Sequence, residues 1–198
     1  MIGGMTTRSV TAVAAALLLP GLAAVAQTPG APASSPTMAF DCPAPGTTFV
    51  YDSGTRVRAT GRDGFDCLME TVGGKPYRLR ALLFDNPAPD GANMTAYIDA
   101  LKPERLWPLE VGRKIEARYS AGGHTWTYVL TVARHERRTG PREAMIDTFL
   151  VEMNEQGEKG ERSVSRWWIS PADRFAIRFD FSDGTGKANR AVVTEVTR

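Results

Sequence analysis

The sequence predicts an antiparallel all-β fold, a meander of about ten strands that forms a sandwich or an open barrel with one short helix. Short runs of alternating polar and apolar residues recur from residue 47 to residue 197, and turn residues separate them. This pattern is typical of antiparallel strands. Several of the runs are apolar on one side only, so the sheet has to cover that side. One stretch alone changes to a helical period.

Four predicted strands form a meander in the first half of the chain. They are Thr47–Tyr51, Arg56–Thr60, Phe65–Val72 and Tyr77–Phe84. In the fourth, alternation predicts an apolar face and a charged face, because successive side chains of a strand point to opposite sides. The apolar face comprises Tyr77, Leu79, Ala81 and Leu83, and the charged face comprises Arg78 and Arg80.

The one predicted helix follows this meander. Its apolar residues recur at i, i+3, i+4 and i+7 and are Met94, Tyr97, Ile98 and Leu101. This spacing places them on one side of a helix, which Pro103 terminates. We expect the helix to pack against one end or the open face of the sheet.

Six further strands are predicted in the second half of the chain. They are Lys114–Ser120, Thr125–Arg134, Ala144–Met153, Ser163–Ser170, Phe175–Phe181 and Ala191–Thr197. Two apolar rows are expected to face the core, one formed by Trp126, Tyr128, Leu130 and Val132 and the other by Phe175, Ile177, Phe179 and Phe181. Asp183-Gly184 is a typical hairpin turn.

The first 26 residues have the pattern of a cleavable export signal. A short basic start is followed by an apolar stretch from Val10 to Leu19 and by the small residues Ala24-Val25-Ala26. We predict cleavage after Ala26 and a periplasmic or secreted protein without a transmembrane segment in the mature chain. Residues 27–39 are predicted to be a disordered linker, because they are mostly Pro, Ala, Ser, Gly and Thr. Residues 40–198 are predicted to be a single β-rich domain.

Composition restricts the partners and predicts one covalent link. The net charge is only +2, which offers no electrostatic reason to expect nucleic acid as a partner. The two cysteines, Cys42 and Cys67, are predicted to form a disulfide because the chain is exported.

Catalytic and metal-binding motifs are absent from the sequence, so we predict no catalytic residues, no metal site and no cofactor. The run that begins at His135 lacks the second histidine of a His-Glu-x-x-His zinc site. The only other histidine is His124. Acids such as Asp147 and Glu152 have a spacing that does not place them in a cleft.

Tryptophan is the most informative residue type. Trp167 and Trp168 are adjacent in a predicted strand, so they must point to opposite faces. One is expected in the core, and the other is expected to line a ligand groove, to lie under the helix or to pack on an arginine stem. Together with Trp107 and Trp126, these two residues are our candidate ligand-binding residues.

The second half of the chain resembles poorly characterised exported bacterial β-rich proteins. The resemblance covers residues 106–180 and is carried by short phrases, which are Leu106-Trp-Pro-Leu-Glu-Val-Gly112, the run Asp147–Glu152, Trp167-Trp-Ile-Ser-Pro171 and Ala176-Ile-Arg-Phe179. The third phrase matches a W-[WY]-x-S-P motif. At Asp147 the family pattern usually has glycine. The resemblance implies an all-β envelope protein and supplies no catalytic residues.

Three functions are compatible with the sequence. The leading hypothesis is a non-catalytic periplasmic binding or envelope-maintenance protein, whose aromatic-lined surface takes an apolar ligand or a protein partner. The second is a secreted hydrolase with a site built from scattered acids and His124 or His135. The third is a purely structural component of an envelope complex, and a cavity of about 300 Å³ or more would argue against it.

Overall fold

Antiparallel β-structure dominates the computed structural model, which describes residues 35–74, 76–86, 92–121 and 123–198. These residues contain thirteen strands, one α-helix and two short 3-10 turns. The helix, α1, is Ala92–Leu101. The strands are β1 Thr37–Met38, β2 Thr48–Tyr51, β3 Arg56–Asp63, β4 Asp66–Thr71, β5 Pro76–Arg80, β6 Phe84–Asn86, β7 Leu109–Glu110, β8 Lys114–Ala121, β9 His124–Thr139, β10 Met145–Gly157, β11 Arg162–Ser170, β12 Phe175–Ser182 and β13 Ala188–Thr197.

Eleven strands form one sheet in the order β6-β5-β4-β3-β2-β13-β12-β11-β10-β9-β8. Each of the two meanders, β2 to β6 and β8 to β13, pairs strands that follow one another in the chain. The pairing of β13 with β2 joins the meanders, with Val193 opposite Tyr51 and Thr197 opposite Thr48. The predicted all-β fold with one short helix is confirmed.

The sheet curls until its two ends approach one another. Helix α1 contacts both edge strands, β6 and β8, and thereby covers edges that would otherwise present unpaired backbone groups. Across the interior, the rings of Phe84 on β6 and Trp167 on β11 lie 5.4 Å apart. Of the two predicted architectures, the structure has the open barrel. Within the described residues, no helix is long and apolar enough to cross a membrane.

The fourth predicted strand is interrupted. Strand β5 ends at Arg80, and a turn with positive φ at Ala81 (53°) and Leu82 (63°) separates it from β6. The single apolar face predicted from Tyr77 to Leu83 is therefore wrong beyond Leu79. The turn is buried, and the backbone N–H of Ala81 donates to the carbonyl of Phe65 at 2.7 Å.

The inward row predicted in β12 is also interrupted. A β-bulge shifts the register with β11 between Trp168 and Ile169, and a bulge changes which side chains share a face. Ile177 lies beside Ile146 and Gly140. Phe175 and Phe179 remain on the inner side, where Phe175 stacks on Phe49 with ring centroids 3.9 Å apart.

Part of the predicted linker forms a strand. The predicted signal and most of the predicted linker lie outside the described residues, but the linker's last residues form β1, which pairs with β7 and buries Met38. Thr37 and Met38 form a strand because Met38 pairs with an apolar residue, Leu109, which is distant in sequence and which the composition of the linker does not reveal. The Cys42–Cys67 disulfide is confirmed.

Candidate functional site

The inside of the curled sheet contains a cavity of about 840 Å³. Strands of both meanders and helix α1 contribute to its wall. Eight aromatic rings of the described residues line it, namely Tyr51, Tyr77, Phe84, Tyr97, Tyr128, Trp167, Phe175 and Phe179. Tyr97 reaches the interior from helix α1, and the other seven reach it from strands, where alternation directs every second side chain inward.

The cavity has a polar end and an apolar end. The turns after β2, β4, β8, β10 and β12 lie at the same end of the sheet, as the antiparallel pairing requires. The polar lining residues Ser53, Thr55, Thr71 and Asn189 belong to this end, and Ser53, Thr55 and Asn189 are exposed. The cavity therefore opens to solvent there.

The opposite end is closed by the turn between β5 and β6. Leu82 and Leu83 of this turn are buried and line the cavity. Trp107 supports the turn from below, where its indole Nε1–H donates to the carbonyl of Ala81 at 3.3 Å. Phe40 packs edge-on against Trp107, with ring centroids 5.1 Å apart. The closed end is therefore an apolar floor.

A carboxylate, Glu155, lines the cavity at one point of its wall. Its Oε1 accepts a hydrogen bond from the Tyr97 hydroxyl at 3.1 Å, and its Oε2 accepts one from the Ser163 hydroxyl. Burial, and then the Glu155 charge, raise the pKa of Tyr97 above its usual value. Burial and Glu155 raise the pKa of Tyr128 in the same way. Both tyrosines therefore stay neutral beside this carboxylate at ordinary pH, and Tyr97 donates a hydrogen bond to it.

A second carboxylate, Asp85 on β6, lies near two other tyrosines. Asp85 is accessible to solvent, and the protein atoms around it raise the pKa of its carboxyl by desolvation. Burial, and then the charge of Asp85, raise the pKa of Tyr77. The pKa of Tyr51 is raised chiefly by burial, then by Tyr77 and Asp85. Among the described residues that line the cavity, none is Arg, Lys or His.

The structure places only one of the four candidate tryptophans in the cavity wall. Trp167 lies there between Phe84 and Phe179, each with its ring centroid 5.4 Å away. Trp107 lies under the floor. Trp126 is half-buried at the paired ends of β9 and β10, where its ring lies over Gly157. The four residues do not form one surface, because they come from different faces and ends of the sheet.

Trp168 lies on the outer face of the sheet although it is only 4% exposed. The guanidinium carbons of Arg138 and Arg178 lie 4.3 and 4.9 Å from its ring centroid, a cation–π arrangement. Its Nε1–H donates to Glu136 Oε1 at 2.7 Å. Burial opposes ionisation of Glu136, but hydrogen bonds from Arg134 and Trp168 outweigh it and lower its pKa. The predicted packing on arginine is what the structure shows for this residue.

The residues of the hydrolase hypothesis are not brought together. His124 and His135 lie on the same strand, β9, eleven positions apart, which is on the order of 35 Å for extended chain. His124 lies 3.3 Å from the ammonium of Lys159, and His135 packs on Phe149. Neither lines the cavity.

The acids of that hypothesis are engaged in ion pairs. Arg137 lies 4.0 Å from Asp147, and Arg166 lies 2.7 Å from Glu152. Across the ranges that the structure describes, no group of three or more His, Cys, Asp or Glu side chains could hold a metal ion.

The tyrosines and the two carboxylates of the cavity were not among the predicted site residues. One signal for them existed, because Tyr77, Tyr97 and Tyr128 lie on predicted apolar faces. A tyrosine on such a face carries a hydroxyl into the interior and needs a polar partner there.

The fold and the cavity define an open antiparallel β-barrel with an aromatic interior. No protein-family model matches the sequence, and no curated protein matches it. Among solved structures, the chain is similar to the hypothetical lipoprotein YmcC from Escherichia coli (K12), with 8% sequence identity and a TM-score of 0.43 over 77% of this chain and 84% of that chain.

Proposed function

We propose that this protein is a non-catalytic binding protein of the periplasm or cell envelope that holds an apolar ligand inside its open barrel. The observation that carries the proposal is the cavity of about 840 Å³ lined by aromatic rings. Sites for small molecules have volumes of about 300–1,000 Å³, are mostly apolar, and contain a few polar groups. A purely structural component has no need of such a cavity.

Two further observations support the compartment. The disulfide between Cys42 and Cys67 is typical of proteins that fold in an oxidising environment. The export signal predicted from residues 1–26 leads to the same environment. The resemblance of residues 106–180 to exported β-rich proteins agrees with both.

The proposal is tested by filling the cavity. Ala191 lines it from β13, so Ala191→Phe reduces its volume from inside. Ala133→Phe adds the same side chain at an exposed position of β9 outside the cavity and is the matched control. The measurement is titration with a neutral apolar fluorescent probe, N-phenyl-1-naphthylamine, with thermal unfolding to verify that both variants fold.

We expect the wild-type protein and Ala133→Phe to bind the probe with equal affinity. Ala191→Phe is expected to bind at least about tenfold more weakly, which corresponds to about 1.4 kcal/mol. Absence of probe binding to the wild type, or equal binding by all three folded proteins, would refute the proposal.

A further inference from the structure

The charges of the cavity wall have one sign. Its two ionisable groups other than tyrosine are the carboxylates Asp85 and Glu155, and the described lining residues include no basic side chain. This contrasts with the outer face of the same sheet, where Glu152 is paired with Arg166 and Asp180 with Arg178. The acids of the outer face are therefore neutralised by arginine, whereas those of the cavity are not.

The partners of the cavity carboxylates are neutral. Glu155 accepts hydrogen bonds from the hydroxyls of Tyr97 and Ser163, which satisfy its oxygen atoms without cancelling its charge. Asp85 lies close enough to Tyr77 and Tyr51 for its charge to raise their pKa values, and desolvation raises the pKa of its own carboxyl. A negative charge in a mostly apolar cavity without a cationic partner attracts positive charge more strongly than the same group does in bulk water, so a positively charged group that enters the cavity would gain free energy there.

The aromatic rings favour the same charge. Tyr97 and Tyr128 lie beside Glu155, with their ring centroids 5.0 Å apart. The face of an aromatic ring carries negative potential and attracts ammonium groups, most strongly when they are desolvated. An anionic head group, such as a fatty-acid carboxylate or a phosphate, would meet like charges and π faces with no compensating base.

We propose that the cavity selects ligands that combine an apolar body with a protonated amine. The apolar body occupies the apolar part of the wall that includes Leu82, Leu83 and Phe175, and the ammonium group lies against one of the two wall carboxylates, Asp85 or Glu155. This inference rests on the proposed function and names the chemical class of its ligand.

The test compares three molecules with the same chain and different head groups. Decylamine, decanol and decanoate compete with N-phenyl-1-naphthylamine at pH 7, each below its aggregation concentration. We expect decylamine to displace the probe at least about tenfold more effectively than decanol, and decanoate to be the weakest. Equal or better competition by decanol or decanoate overturns the inference.

Two variants locate the effect. Glu155→Gln and Asp85→Asn keep the size and the hydrogen-bonding atoms of each side chain but remove its charge, so each is expected to reduce the preference for decylamine over decanol several-fold. Glu152→Gln removes a charge three residues away on the outer face of β10 and is the matched control. It is expected to leave the preference unchanged. An undiminished preference in the Glu155→Gln, Asp85→Asn double variant also overturns the inference.

Failure of this inference differs from failure of the proposed function. If the protein binds the neutral probe but does not prefer the amine, the cavity binds apolar ligands without charge selection. If the probe does not bind at all, the proposed function itself is wrong.

Discussion

The adjacent tryptophans of β11 allow the two faces of the sheet to be tested with one conservative change. Trp168→Phe keeps a ring between Arg138 and Arg178 but removes the 2.7 Å hydrogen bond from Nε1 to Glu136. A hydrogen bond to a charged group contributes about 1.5–3 kcal/mol. For a domain of this size, 1 kcal/mol shifts Tm by about 2–4 °C, so we expect Tm to fall by about 3–12 °C.

Trp167→Phe should behave in the opposite way. Trp167 packs against Phe84 and Phe179 and lines the cavity. The substitution removes only part of a buried ring, so we expect it to lower the free energy of unfolding by about 1 kcal/mol. It removes contact area and a hydrogen-bond donor from the cavity wall, so we expect probe affinity to fall several-fold.

The assay is thermal unfolding followed by circular dichroism, combined with titration of N-phenyl-1-naphthylamine at 25 °C. The two variants are expected to have opposite effects. Trp168→Phe should lower the stability and leave the probe affinity unchanged, whereas Trp167→Phe should lower the probe affinity and retain most of the stability. If Trp168→Phe loses affinity and Trp167→Phe does not, ligand binds to the outer face and our assignment of the cavity is wrong.

Three further predictions concern stability. Replacing Cys42 and Cys67 together by alanine should lower the free energy of unfolding by about 3.5 kcal/mol, because the disulfide links residues with a sequence separation of 25 and so restricts the unfolded chain. Urea unfolding measures this change, and an unchanged unfolding midpoint would contradict the prediction. Asp85→Asn should raise Tm at pH 7 but not at pH 3. The pKa of the wild-type Asp85 carboxyl is raised in the folded state, so its contribution to stability is complete when it is protonated and is lost as pH rises through the folded-state pKa. The four cavity tyrosines also have raised pKa values, so their contribution to stability is complete below the usual tyrosine value of about 10 and declines at higher pH. Absorbance at 295 nm should accordingly show their ionisation together with unfolding, and a smooth titration in the folded state would contradict this.

Most of the strands were predictable because alternation is a local property. Each of the ten predicted strands overlaps an observed one, and the predicted helix from Met94 to Leu101 lies within α1. In the apolar row predicted from Trp126 to Val132, Tyr128, Leu130 and Val132 are buried as expected, whereas Trp126 is half-buried. These patterns need only neighbouring residues, since the period of a strand or a helix follows from backbone geometry.

The break between β5 and β6 could not be predicted in this way. Leu79 to Phe84 is a nearly continuous apolar run, and nothing local marks the turn at Ala81. The turn is held by Phe65 and by Trp107, which are distant in sequence. Positive φ is unfavourable for Ala and Leu, so contacts from elsewhere in the fold have to support it.

The candidate site was predictable only in part. The sequence indicated that Trp167 and Trp168 face opposite sides, but not which of them faces inward. It also did not place Glu155 in the cavity, because the predicted strand ended at Met153, whereas β10 continues to Gly157, and alternation alone does not say which face of a strand is the inner one.

The sequence by itself determined the strands, the helix and the disulfide of this protein, because period, turn residues and compartment are properties of short segments or of composition. Only the tertiary structure decided that β13 pairs with β2, that α1 covers both edges of the sheet, and that two uncompensated carboxylates share one aromatic cavity. These features depend on contacts between residues far apart in the chain. Side-chain alternation specifies the faces of a strand but not the partner that each face meets.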